Sequence, residues 1–299
     1  MIFENKRISF KPKSLLEDID LQNKLLERKR RVVDSYRPHE LDFIDIYPLK
    51  EIEGDLNEIK NYKLFWEKKD AKEKKFDNIS SIYEGIISDQ IGSNSWFGDN
   101  CEAIPTSEYD DIKNGIDVVT IFNQDESRQY MGLGIDVTFA SEKKFLEKKL
   151  ESIKQCIRSR TLPSLKYFQD PETGEHKTIF LPKVIIGSRL SSAEKLIRLW
   201  GSKDEDRNKK LSEHPVSSKI ILESISQLKY FYDYAYNLSE NSKDMQDKEE
   251  YKKIAVEYGK MYNIFYDIYM IKKDTIESHL NEISDDIVYE TIIDYTNKT

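Results

Sequence analysis

The chain has 299 residues, of which 38% are hydrophobic and 34% are charged, and its formal net charge is −8. This composition argues against a disordered chain, because 18 Tyr, 13 Phe and 3 Trp can fill a core. The negative charge argues against a protein that coats nucleic acid through a globally basic surface. Two cysteines, Cys101 and Cys156, are too few for a disulfide framework or a zinc cluster and predict reduced thiols in a cytoplasmic protein.

The first 77 residues are rich in charge and are expected to form an N-terminal helical extension. Apolar residues at helical spacing predict helices over residues 19–33 and 53–69. Residues 68–75 are almost all charged or Ala, which predicts a solvated helix face or a linker. Residues 1–7 lack the apolar run of a signal peptide, and no apolar run in the chain is long enough to span a bilayer.

Residues 78–190 have a different pattern, which alternates helices with strands. A helix is expected over residues 78–91, followed by strands at 116–122 and 129–139 that a polar loop, residues 123–128, joins into a hairpin. Ser141 is a good N-cap for an amphipathic helix at 142–158, and the apolar run from Val184 to Gly187 predicts a buried strand. We therefore predict an α+β or α/β core with a mixed sheet, in the order helix, strands, helix, strand.

Residues 191–299 are expected to be helical and to pack on this core. The candidate helices cover residues 192–200, 216–236, 248–270 and 274–294. The predicted architecture is thus an α/β core, residues 78–190, flanked by N-terminal and C-terminal helices.

Two of the predicted core strands each carry an aspartate, Asp117 and Asp136. Burying a carboxylate costs several kcal/mol unless it is paired, hydrogen-bonded or bound to a metal. If Phe122 pairs with Gln129, Asp117 lies diagonal to Asp136 on the same sheet face, at roughly 7–8 Å between Cα atoms. A divalent ion could bridge that gap, although a lone strand aspartate is more often an edge residue than a ligand.

Further acids lie nearby in the sequence. Magnesium prefers few protein carboxylates, several waters and phosphate oxygens from the substrate. Asp111, just before the first strand, and Glu84, on the preceding helix, are candidate additional ligands. The alternatives are that Asp111 forms a turn and that Glu84 lies on a solvated helix face.

A helix with a Glu, followed by a hairpin with two acids, resembles the PD-(D/E)XK nuclease superfamily, which has a restriction-endonuclease-like core. The resemblance covers residues 78–190 and matches Glu84 to the helical acid, Asp117 to the first strand acid and Asp136 to the second. It implies hydrolysis of phosphodiester bonds in DNA or RNA with Mg²⁺ or Mn²⁺, which these three carboxylates would hold.

The chain departs from that pattern at one position. Thr138 stands two residues after the second acid, where the superfamily has a Lys. Some members of the superfamily take a Lys from the following helix instead, where this chain has Lys143, Lys144 and Lys148. Helical spacing from Leu146 favours Lys143 for that catalytic role, whereas Lys144 and Lys148 are expected to point to the side or to solvent. Thr138, Arg189 and Asp111 are expected to contact the substrate.

The missing Lys also supports a second hypothesis. In this alternative the core is catalytically inactive, and the protein is a binding or scaffold module for nucleic acid or for another protein. The C-terminal helices would then bind a protein partner or form a homodimer.

Overall fold

A computed structural model describes residues 14–122, 131–139 and 142–298 of the chain. It has a mixed α+β fold, with a small mixed sheet and flanking helices, as predicted. The helices are α1 Ile19–Val32, α2 Leu49–Glu67, α3 Ala71–Ser93, α4 Lys143–Arg158, α5 Leu190–Trp200, α6 Arg207–Ser212, α7 Pro215–Asn241, α8 Met245–Ile283 and α9 Ile287–Thr296. The strands are β1 Cys101–Pro105, β2 Val118–Phe122, β3 Met131–Phe139, β4 Ser164–Gln169, β5 His176–Phe180 and β6 Lys183–Ser188.

The main sheet has the strand order β1-β2-β3-β6. Neighbours β1, β2 and β3 are antiparallel, whereas β6 runs parallel to β3. A parallel pair needs a long crossover, and α4 together with the β4-β5 hairpin provides it. Every residue of β2 and β6 is buried, which agrees with their nearly continuous apolar sequences.

The two faces of β2 pack against different clusters. Val118 and Phe122 join the main hydrophobic core together with residues of α3. Val119 and Ile121, on the opposite face, pack in a smaller cluster with residues of β4 and of the β5-β6 connection. Because side chains alternate along a strand, Asp117 belongs to the face of Val119 and Ile121.

Helix α4 confirms the predicted amphipathic pattern. Its buried residues are Leu146, Leu150, Ile153 and Ile157, the four that the sequence indicated. The proposed N-cap Ser141, the hairpin loop at 123–128 and the first two residues of the predicted strand 129–139 lie outside the described residues.

Several predicted boundaries differ from the structure. Helix α3 begins at Ala71 rather than at residue 78, because Asp70 and Glu73 form a capping box at its start. The expected boundary at residue 77 therefore falls inside a helix. Helix α8 continues through the break expected at 271–273, where Lys272 Nζ donates hydrogen bonds to the backbone oxygens of Ser95 and Trp96 at 2.9 Å each.

One hydrophobic core unites the N-terminal, central and C-terminal segments. Leu25 of α1, Ile86 of α3, Val184 of β6 and Phe265 of α8 all belong to it. Within the described ranges, no helix combines the length and apolar character that crossing a membrane requires.

Candidate carboxylate–lysine site

Asp117 and Asp136 come together at the start of β2. The register pairs Val118 with Ile135, and continuing it by one residue places Asp117 opposite Asp136. Two hydrogen bonds fix this arrangement: Asp117 N donates to Ile135 O at 2.9 Å, and Val137 N donates to Asp117 Oδ2 at 2.6 Å. The two aspartates share a face, as predicted.

The register itself differs by two residues from the one assumed in the sequence argument. Phe122 pairs with Met131, whereas the argument assumed Gln129. A shift of two residues keeps every side chain on its face. It also turns the expected diagonal relation between Asp117 and Asp136 into direct opposition.

Asp136 lies between two lysine side chains. Lys149 Nζ of α4 is 2.6 Å from Asp136 Oδ1, and Lys183 Nζ of β6 is 3.2 Å from Asp136 Oδ2. Lys183 also donates to the backbone oxygen of Asn114 at 3.1 Å. Burial alone would lower the pKa of Lys149, but the charge and hydrogen bond of Asp136 outweigh it and raise that pKa. Lys149 is therefore a charged ammonium group directed at the strand aspartate.

Lys143 does not occupy this position, which corrects the choice made from helical spacing. Its Nζ is 2.9 Å from Glu290 Oε1 and 3.4 Å from Asp294 Oδ2, both on α9, and its side chain is 45% exposed. The first residue of α4 thus points to the C-terminal helix. Lys149, three residues after Leu146 and four before Ile153, lies beside the buried stripe and reaches the sheet.

The carboxyl group of Asp117 is surrounded by other acids. Burial raises its pKa well above the ordinary value, and the negative charges of Asp111, Glu84 and Asp136 raise it further. Asp111 also shares a side-chain hydrogen bond with Asp117. Because each of these charges destabilises the others, a cation placed among them would be stabilised.

Glu84 lies at the edge of this group of acids. Its side chain is half-buried and accepts a hydrogen bond from Ser80 Oγ at 3.1 Å. Burial raises the pKa of Glu84 to about 7, although the positive charge of Lys29 opposes that shift. Glu84 is therefore no freely solvated helix residue, and it changes protonation state near neutral pH.

Asp111 connects the acids to another cation. Arg37 Nη1 is 3.1 Å from Asp111 Oδ2. Burial would lower the pKa of Arg37, but the carboxylates of Asp111 and Asp34 raise it overall. The neighbouring Asp110 has a structural role, since it accepts hydrogen bonds from the backbone nitrogens of Lys166 and Tyr167 at 2.8 and 2.9 Å.

The other two predicted substrate contacts are Thr138, on the same strand as Asp136, and Arg189, which follows β6. Thr138 is buried, and a Cβ on Gly187 of the paired strand would lie 3.0 Å from Thr138 Cγ2. Arg189 follows β6, where its Nη1 donates to the backbone oxygen of Asp285 at 2.7 Å. The structure therefore brings Glu84, Asp111, Asp117 and Asp136 together, whereas Arg189 binds the turn between α8 and α9.

Sequence reasoning missed Lys149, Lys183 and Arg37. Helical spacing from Leu146 could have indicated Lys149, because position 149 also flanks the apolar stripe. Lys183 and Arg37 carry no such signal, since only the tertiary fold brings β6 and the segment after α1 to the aspartates.

A metal ion would have few protein ligands at this site. In the described part of the chain, no group of three or more His, Cys, Asp or Glu side chains is arranged to hold a metal ion. Mg²⁺ commonly binds one or two carboxylates and completes its shell with waters and substrate phosphates. Asp117 and Asp136 supply two opposed carboxyl groups, and a metal would have to compete with Lys149 and Lys183 for the oxygens of Asp136.

Comparison with known proteins gives no relative from which a role can be transferred. No family model, no curated protein and no solved structure matches the chain significantly.

Proposed function

We propose that the chain is a metal-dependent nuclease with a restriction-endonuclease-like core of the PD-(D/E)XK type. The observation that carries the proposal is the direct opposition of Asp117 and Asp136 on one sheet face, with Lys149 Nζ 2.6 Å from Asp136. The order α3, β1, β2, β3, α4, β6 supports it once the β4-β5 hairpin between α4 and β6 is set aside, because this is then the helix, three strands, helix, strand order that the sequence resemblance implies.

In this proposal, Asp117 and Asp136 hold Mg²⁺ or Mn²⁺, and Glu84 contributes from the edge of the acidic group. When bound, the ion polarises the phosphoryl oxygen of the scissile phosphodiester. Burial raises the pKa of Asp117 most, the neighbouring acids raise it further, and the repulsion among these acids would favour binding of a divalent cation. The hydrolysis itself forms a bond between a water oxygen and phosphorus while the bond to the leaving oxygen breaks.

Lys149 takes the role that the sequence first gave to Lys143. Its ammonium group is charged, partly buried and held at Asp136, so it is positioned to stabilise negative charge on the phosphoryl oxygens. Thr138 cannot supply that charge. Lys183, on the other oxygen of Asp136, orients the carboxylate.

Cleavage of labelled DNA and RNA oligonucleotides in Mg²⁺ or Mn²⁺ tests the proposal. The wild type should cleave at least one of them, and Asp117→Asn and Asp136→Asn should abolish cleavage. Asparagine is preferable to alanine at position 136, because its amide oxygen still accepts a hydrogen bond from the neighbouring lysines, whereas alanine would leave both ammonium groups without a side-chain partner there. Asp294→Asn, at the exposed partner of Lys143, is the matched control and should cleave normally. Unchanged cleavage in both Asp117 and Asp136 variants would show that the assignment is wrong.

A non-catalytic binding module remains the second candidate. It is favoured by the ion pairs that Asp136 forms with Lys149 and Lys183, because these lysines would compete with a metal for the carboxylate. Oligonucleotide binding without cleavage in either metal would support this alternative. In both cases we propose a cytoplasmic protein, since the thiols of Cys101 and Cys156 are free.

A further inference from the structure

The end of α2 exposes an unusual set of aromatic side chains. Tyr62 and Phe65 are 43% and 65% exposed, and Phe76 near the start of α3 is 38% exposed. In the structure, the buried residues of α2 are Ile52, Asp55 and Ile59, all in its first two-thirds.

The same segment has a charge opposite to that of the whole chain. Residues 60–76 contain seven lysines and three acidic residues, whereas the chain has a net charge of −8. Lys60, Lys68 and Lys72 are exposed, and none of them forms an ion pair with another described residue. Tyr62 and Phe65 lie three residues apart and are therefore neighbours on the surface of α2, and Lys68 follows directly after the helix. We call residues 60–76 the basic aromatic arm.

A cavity of about 360 Å³ lies at the base of this arm. Tyr62 and Asn61 line it from α2, and Tyr109 and Lys113 line it from the turn that precedes β2. The same turn carries Asp111, which contacts Asp117. The cavity and the carboxylate site thus lie along one short segment of the chain.

Helix α3 provides a second connection between the arm and the site. Phe76 and Glu84 lie eight residues apart on this helix. A rise of 1.5 Å per residue separates them by about 12 Å along the helix axis. The arm therefore ends about 12 Å along α3 from Glu84.

We propose that the basic aromatic arm binds single-stranded nucleic acid, whose unpaired bases stack on Tyr62 and Phe65 while Lys68 and Lys72 contact its phosphates. Single-stranded nucleic acid would be the substrate class of the proposed nuclease. The role of the arm in cleavage rests on that proposed function, whereas binding to the arm requires no metal. Exposed aromatic rings interleaved with lysines bind single strands, because unpaired bases offer free ring faces. The excess of lysine favours a polyanion over a protein surface.

Fluorescence anisotropy with labelled oligonucleotides of about 15 nucleotides, in EDTA, tests this proposal without cleavage. The wild type should bind the single strand more tightly than the duplex of the same sequence. Tyr62→Ala with Phe65→Ala should weaken single-strand binding by about tenfold or more. Lys68→Gln with Lys72→Gln should reduce the slope of log affinity against log salt by about 1.4, since each phosphate contact contributes about 0.7.

Matched controls lie on the C-terminal helices. Tyr236 of α7 is 46% exposed, and Lys252 and Lys253 of α8 are exposed lysines, so Tyr236→Ala and Lys252→Gln with Lys253→Gln should leave binding unchanged. Preference for the duplex, absence of binding, or equal losses in the control and arm variants would overturn the proposal. It would also be overturned if Tyr62→Ala with Phe65→Ala converted a dimer into a monomer in sedimentation without changing oligonucleotide affinity, because the arm would then be a self-association surface.

The two proposals fail separately. Loss of oligonucleotide binding in the arm variants, together with unchanged cleavage chemistry in Asp117→Asn and Asp136→Asn, would refute the metal site and retain the arm. Full Mg²⁺-dependent cleavage, together with unchanged oligonucleotide affinity in the arm variants, would retain the metal site and refute the arm.

Discussion

Asp136 is the residue on which the account depends most closely. It is buried, yet both of its carboxylate oxygens face lysine ammonium groups, from α4 and from β6. A buried carboxylate is tolerated when cations and hydrogen bonds compensate for its lost hydration. The same pairing holds two positive charges beside the pair of strand aspartates.

Substitutions of Lys149 and Lys143 test which of the two lysines has the catalytic role. The structure favours Lys149, whereas helical spacing favoured Lys143. Lys149→Met should lower the rate of Mg²⁺-dependent cleavage by about 10²- to 10³-fold, because it removes one preorganised positive group. Lys143→Met should stay within about twofold of the wild type, since its exposed ion pairs with α9 contribute little. Single-turnover cleavage rates check this prediction, and the reverse order of effects would return the role to Lys143.

The shared face of the two aspartates could be predicted from the sequence because it follows from the two-residue period of a strand. Asp111 and Glu84 were also identified as nearby acids, and the structure places both within electrostatic reach of Asp117. The lysines and Arg37 could not be predicted as a set, because their positions depend on how separate elements pack.

At the scale of elements, periodic patterns gave reliable predictions and short irregular ones did not. The stripe from Leu146 to Ile157 predicted α4 correctly. Strand β1 and the β4-β5 hairpin were missed, since five or six residues with mixed polarity carry little periodic signal.

A substitution at Gly115, in the turn before β2, tests whether the position of Lys183 matters to the site. Gly115 has a φ of +59°, and a Cβ there would lie 3.0 Å from Lys183 Nζ and 3.4 Å from Asp136 Oδ2. Gly115→Ala should therefore cost about 1–2 kcal/mol of stability from the backbone and should also displace Lys183. Gly174→Ala is the matched control, with a φ of +70° and open space around its Cβ.

Urea unfolding of the two glycine variants measures the difference. Both should be destabilised by the left-handed backbone, and Gly115→Ala should lose more stability and also lose cleavage activity. Equal losses of stability, with full activity in Gly115→Ala, would mean that the position of Lys183 does not matter to the site.

At the scale of the whole molecule, the C-terminal helices complete the sheet. Strand β6 is an edge strand, and α7 covers it with side chains: Ile185 N donates to Gln227 Oε1 at 2.9 Å, and Gly187 N donates to Glu223 Oε2 at 3.1 Å. An uncovered edge of this kind would be open to pairing with another chain. The helices after residue 190 are thus part of one folded unit with the sheet.

Because Glu223 is buried where α7 packs on β6, the free energy of unfolding depends on pH through this side chain. Burial raises the pKa of Glu223 to about 8 from 4.5, although the positive charge of Lys219 opposes the shift. In the folded chain Glu223 keeps a proton that it releases in the unfolded chain. Its contribution to the stability of the folded state is therefore fully present below pH 4.5 and is lost as the pH rises through 8.

Glu223→Gln should remove that dependence, since glutamine does not titrate. Between pH 4.5 and 8, the wild-type free energy of unfolding should fall relative to that of the variant by up to about 1.4 kcal/mol per pH unit. Denaturant unfolding across this range measures the difference. Parallel curves for the two proteins would show that Glu223 keeps its charge in the folded state.

The most direct test of the central claim is a Mg²⁺ titration followed by thermal melting. The claim is that Asp117 and Asp136 together bind a divalent cation in the folded protein. Binding should raise the wild-type Tm, with about 2.7 kcal/mol of stabilisation when the metal is at 100 times its Kd, and the Asp117→Asn, Asp136→Asn double variant should show no rise. A wild-type Tm that does not change with Mg²⁺, or an equal rise in the double variant, would contradict the account.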